Sequence, residues 1–169
     1  MAQDNKEAIS VLNDLVETCK DGANGFRTAA AAVKNPQAKT LFTSRVQLIE
    51  HAAQELQAEV RQLGGDPETT GTVAAKIHRG WIDLKAAVTG KDDAAILTEC
   101  ERGEQVAVKN YEDARKKDLP VAVRTLVERQ YQGAMQNLER VRALGRAAGA
   151  DAPTVAPRPA ADRDVPRPM

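Results

Sequence analysis

The chain has 169 residues, 42% apolar and 28% charged, with 24 basic side chains balanced by 24 acidic ones. That length holds one ordinary domain around one core, zero net charge removes the footprint of a general nucleic-acid binder, and no apolar run approaches the ~20 residues of a membrane span. Neither nucleic acid nor membrane is therefore expected as a partner. Aromatic residues are only 3% while alanine fills 29 positions, which favours closely packed helices over sheets.

The first predicted helix carries Ile9, Leu12, Val16, Cys19, Ala23, Phe26, Ala30 and Val33 at alternating steps of three and four, ending near Lys34. Asp4, with Glu7 three residues later, has the form of a capping box at its start. Asn35-Pro36 supplies an N-cap and a first-turn proline for a second helix reaching about Leu63, with Phe42, Ile49, Ala52, Leu56 and Leu63 along its stripe. With almost no loop between them, these two helices must lie antiparallel. Gly64-Gly65-Asp66-Pro67 is a helix stop followed by a turn. Val73, Ile77, Trp81, Leu84 and Val88 then predict a shorter helix of about four turns that stops at Gly90.

Asp92 is placed to cap the next long helix, whose stripe is Leu97, Cys100, Glu104, Ala107, Tyr111 and Ala114. Asp118-Leu119-Pro120 opens the last one, with Asp118 able to cap and Pro120 in the first turn; its stripe is Val123, Val127, Gln130, Ala134, Asn137, Val141 and Leu144. Nothing alternates with period two, so no sheet is expected. Four helices of roughly 26 to 30 residues, about 40 Å each, with a long link between the second and third, predict an all-α, ferritin-like four-helix bundle whose crossover contains the short fifth helix. Residues 1–149 form this bundle. Residues 150–169 carry five prolines and no aromatic side chain, and are expected to be a disordered tail, either inert or an address read by a partner.

Ile77-His78-Arg79-Gly80-Trp81-Ile82-Asp83-Leu84-Lys85, followed by Ile96-Leu97-Thr98-Glu99-Cys100-Glu101-Arg102-Gly103-Glu104, resembles a bacterial four-helix-bundle family. It is a domain of unknown function in the ferritin-like superfamily. Arg129-Gln130-Tyr131 and Gly25-Phe26 extend the resemblance, which spans about residues 5 to 146. It implies the bundle fold and raises the question of a dinuclear metal. Such a site takes a Glu-x-x-His pair from each of two helices. Leu48 stands three residues before His51, and Ala75 three before His78, so neither pair exists. The resemblance also implies a histidine late in the last helix, as in many members of the family, where this sequence has Leu138.

A carboxylate-only site for iron or manganese stays open, because both accept oxygen ligands. Antiparallel pairing places Glu17, Glu50, Glu55, Glu104 and Gln130 within roughly two turns of one another near mid-bundle. Only Glu104 and Gln130 occupy the apolar stripe. The competing reading pairs Glu104 with Arg45 and makes Gln130 part of a polar layer that fixes helix register.

Cys19 and Cys100 lack the spacing of a zinc or redox motif, and their levels differ by roughly 10 Å, beyond the ~7 Å a disulfide allows. They read as buried apolar residues, and His51 as a surface residue. His78 is placed to help the crossover helix dock, with Trp81 as its buried anchor. Local sequence supports neither nucleophilic catalysis nor a phosphate loop. Arg124, Arg129, Arg140, Arg142 and Arg146 make the last helix basic, its final arginines complementing the helix dipole. Gly22, Gly25, Gly103 and Gly133 permit close backbone contacts, between chains or within one. A charged opening segment with no signal-like apolar run, and no disulfide framework, point to the cytoplasm. The expected protein is a non-catalytic bundle acting through self-association or a protein partner, with no resident cofactor; the rival is a divergent iron- or manganese-binding protein.

Overall fold

The computed structural model describes residues 2–67, 81, 83–90 and 92–150. Five helices lie in this part of the chain: α1 (Ala2–Ala32), α2 (Pro36–Gln62), α3 (Leu84–Thr89), α4 (Asp93–Arg115) and α5 (Val121–Ala150). No strand occurs among the described residues. The long helices form two antiparallel pairs, α1 with α2 and α4 with α5. Cross-helix contacts fix the directions. Asp93 at the start of α4 meets Asn35 just past the end of α1, while Lys117 just past the end of α4 approaches Glu7 near the start of α1, so α1 and α4 are antiparallel as well; α5, paired with α4, then runs opposite to α2, which it meets at Arg129 and Glu55. α2 and α4 then run the same way, as a long crossover requires.

The stripes become the core. Leu12, Val16, Cys19, Ala23, Phe26 and Ala30 of α1, with Val33 just past its end, are buried against Phe42, Ile49 and Leu56 of α2 and the apolar rows of α4 and α5. Side-chain caps set two starts: Asn35 Oδ1 accepts from the Gln37 and Ala38 amides at 2.9 and 3.1 Å, and Asp92 Oδ1 from the Ala94 amide at 3.0 Å. α2 ends in a Schellman turn. Gly64 takes φ +83°, and the Gly65 amide donates back to the Val60 carbonyl. A longer-range clamp joins the two pairs, because Asp93 accepts from the Lys34 and Asn35 amides with its two oxygens, at 2.9 and 2.8 Å.

Four sequence expectations need correction. α1 already runs from Ala2, so Asp4 lies inside the helix instead of at its cap. The crossover helix is six residues long, because Trp81 and Asp83 lie outside it and it begins at Leu84. Pro120 precedes α5 and its carbonyl accepts the Arg124 amide, while Asp118 is almost fully exposed and faces Arg124 at 3.8 Å. α5 continues past Arg146, leaving no basic residue in its last turn. Val73, Ile77 and His78, and the tail from 151 to 169, lie outside the described residues.

Trp81 is the crossover's anchor. Its indole meets Phe26 edge-on at 5.1 Å between ring centroids, and Phe26 in turn packs on Phe42 at 5.5 Å. Gly25 and Gly103 make room for the indole, so these two glycines serve packing within one chain. Glu99, itself buried, receives the Asp83 amide at 3.3 Å, and Arg102 pairs with both Asp83 and Glu99. The start of α3 is thereby tied to α4.

Candidate functional site

The middle of the bundle contains a buried polar layer. Glu104 on α4 is 1% exposed, and Arg45 reaches it diagonally from α2: Nη2 donates to Oε1 at 2.7 Å and Nε to Oε2 at 3.3 Å. Asn137 of α5 adds a third donor to Oε2 at 2.9 Å. This is a fork-to-fork pair with the second carboxylate oxygen further satisfied, the arrangement that makes a buried ion pair tolerable.

A second group of polar contacts lies one to two turns along the axis. Tyr111 donates to Gln130 Oε1 at 2.8 Å, and Gln130 Nε2 donates to the Ala52 carbonyl at 3.2 Å and to Glu55 at 3.4 Å. Cys19 Sγ contacts the Tyr111 hydroxyl at 3.5 Å. Burial pushes the Cys19 thiol up to about 11 and the Tyr111 phenol well above its usual value. Both therefore stay protonated and serve as hydrogen-bonding groups, not nucleophiles. Cys100 is likewise buried, and its thiol is raised by burial and by Glu104 and Glu99.

The proposed carboxylates separate according to direction. Glu104 and Gln130 point into the layer. Glu50 pairs at the surface with Arg27, and Glu55 with Arg129, whose hydrogen bond holds the Glu55 carboxyl below the usual range. His51 is exposed, 3.8 Å from Glu55. Glu17 differs from all of these: its Oε1 is buried and accepts no hydrogen bond. Four residues on, Asp21 lies half-buried, its carboxyl pushed up to about 7 by burial first and by the Glu17 charge second. Sequence reasoning passed over Asp21, although its i,i+4 spacing from Glu17 on the flank of the stripe was visible.

Three of the four candidate carboxylates are thus committed to arginines, and among the described residues no group of three or more His, Cys, Asp or Glu is placed to hold a metal ion. This donor chemistry does not fit a dinuclear metal centre. Three arginines of α5 are paired, Arg124 with Asp118, Arg129 with Glu55, and Arg142 with Glu101 and Glu139, while Arg115 of α4 is both paired to Glu128 and stacked 4.1 Å over the Tyr131 ring.

A cavity of about 560 Å³ runs beside the polar layer. It reaches the surface between α1 and α4, at Asp14 and Asp113, and between α2 and α5, at Leu48 and Arg140. Gly133 lies on its wall with open space where a Cβ would stand.

The sequence pattern of the domain of unknown function DUF2383 matches residues 7–117. No curated protein matches the chain. Among solved structures, a point mutant of Dps1 from Mycobacterium smegmatis superposes with a TM-score of 0.74 at 18% identity, covering 85% of this chain and 97% of that one. A tetragonal form of Mycobacterium smegmatis Dps gives 0.71 at 16%, covering 85% and 88%. A two-domain protein from Anabaena variabilis, with DJ-1/ThiJ/PfpI-like and ferritin-like domains, gives 0.72 at 15%. The match covers 85% of this chain, which spans 40% of the Anabaena protein's length. At such identities the likeness shows the fold, a ferritin-like helical bundle.

Proposed function

The chain belongs to the DUF2383 family, and from that premise we propose that it is a non-catalytic helical bundle acting by association, with a second copy of itself or with a protein partner. The observation that carries this reading is the closure of the mid-bundle layer. Arg45 and Asn137 occupy Glu104, and Tyr111 and Ala52 occupy Gln130, so the groups that chemistry would require are already engaged with one another. The thiols and the phenol beside them are held protonated. What remains for function is binding. In this reading residues 1–149 are the working domain and 150–169 an extension outside it. No helix among the described residues is long and apolar enough to cross a membrane, and a cytoplasmic location agrees with the sequence.

Sedimentation velocity over a wide concentration range tests this directly. We expect a concentration-dependent shift to larger species, or a heavier complex once a partner is supplied. A sharp monomer throughout, with no partner recovered by crosslinking in cells, overturns it.

A second reading draws on the unpartnered Glu17 oxygen: a divergent iron or manganese protein with a carboxylate-only site. Elemental analysis of protein purified without a metal-chelating tag decides between the two. Association predicts no near-stoichiometric metal, even after anaerobic iron loading. Near-stoichiometric iron or manganese, lost in Glu17→Ala or Glu104→Ala, would establish the rival.

A further inference from the structure

The bundle cavity has a volume of about 560 Å³, inside the ~300–1,000 Å³ range of small-molecule sites. Leu15, Phe26 and Ile49 give it an apolar wall, and the ion pair of Arg45 with Glu104 leaves its polar wall without net charge. Its mouth between α1 and α4 is different. Asp14, Glu17 and Asp21 of α1 line that mouth with Asp113 of α4, against Lys117. Among the described residues no cation pairs with Glu17 or Asp21, and Glu17 Oε1 is buried with no donor. A buried carboxylate oxygen left unsatisfied is unfavourable, and a ligand N–H of positive charge would relieve it.

We infer that this cavity takes a small organic cation of the alkylamine class, its ammonium held at the α1/α4 mouth by Glu17 and Asp21 and its apolar body extending into the cavity along the wall that includes Ile49. The apolar wall selects a carbon chain over an inorganic cation. The two carboxylates select an amine over an acid, and the neutral interior keeps the charged head at the mouth. Asp21 supports the assignment from a second side: raised to about 7, it takes up a proton where it lacks a counter-charge, so an arriving ammonium displaces that proton. The other charged groups lining the cavity from this side are Asp14, Asp113, Lys117 and the paired Arg45 and Glu104. This inference does not rest on the association reading, since an amine can enter a monomer or an oligomer, and sedimentation is blind to it.

The test is calorimetric titration of the full chain with pentylammonium, using pentanoate and pentanol as size-matched controls, in two buffers of different ionisation enthalpy near about pH 7. We expect saturable binding of one amine per chain, proton release, and affinity weakened about tenfold or more in Glu17→Gln and in Asp21→Asn. Glu139→Gln, on the exposed face of α5, is expected to bind like the parent. Thermal melts confirm that each near-isosteric variant folds, and amide shifts on wild-type α1 and α4 locate the ligand without any substitution. Absence of saturable amine binding, equal binding of pentanoate or pentanol, wild-type affinity in both folded variants, or shifts confined to other helices overturns the inference.

Discussion

Trp81 and Gly103 touch so closely that a Cβ added to the glycine would lie 2.4 Å from the indole. Gly25 on α1 stands equally near the same ring. The crossover is thus locked by a tryptophan held between α1 and α4 at the point where both helices lack a side chain. Gly103→Ala is expected to destabilise the protein by about 1–3 kcal/mol, as overpacking does, despite alanine's better helix propensity. Thermal or urea unfolding measures the loss. Repeating the change in a Trp81→Leu background should recover much of it, and an undiminished penalty there would locate the strain elsewhere.

Breaking the central ion pair from one side is expected to be costly. Glu104→Leu leaves Arg45 charged in a site where its side chain is only 12% exposed, a loss on the order of 3–5 kcal/mol. Replacing both, as Arg45→Met with Glu104→Leu, should be far milder, because it removes the uncompensated charge together with its partner. Equilibrium denaturation of the two single variants and the double one gives the coupling.

The protonation of Asp21 predicts a pH dependence with a definite sign. Its carboxyl lies at about 7 in the folded protein against an ordinary 3.8, so between these values the folded state binds more protons than the unfolded one. This group's contribution therefore falls as pH rises through that window. Asp21→Asn, which cannot ionise, should raise the melting temperature at about pH 8 and change it little at about pH 4. Equal shifts at both ends would remove the linkage.

Deleting residues 150–169 is expected to leave the thermal midpoint within a few degrees, because the buried rows of α5 end before the cut: Val141 is 1% exposed, whereas Arg146 and Ala147 are exposed. A fall of roughly ten degrees or more would mean that the tail packs on the bundle.

Much of the architecture is local in origin and was readable without coordinates. The step-of-three-and-four rows on α1, α2, α4 and α5 became the core, and Asn35 and Asp92 became the caps their side-chain chemistry suits. The pairing of Glu104 with Arg45 was also legible, because a charged residue in an apolar row requires an opposite charge from a facing row. Trp81 was legible as an anchor. Its exclusion from the helix was not, since the same spacing of apolar residues fits a continuous helix until the indole must fill the gap between Gly25 and Gly103.

Axial level follows from counting residues at a fixed rise, so the sequence alone determined which carboxylates share the middle of the bundle. Direction depends on how each helix is rotated against its neighbours, and only the tertiary structure decided that Glu50 and Glu55 turn outward to Arg27 and Arg129 while Glu104 turns inward. The same rotation buried Glu17 Oε1 without a donor beside Asp21 and opened a cavity next to them. Helix periodicity says which face is apolar; the packing of four such faces sets where they fail to meet, and that gap exists only in three dimensions.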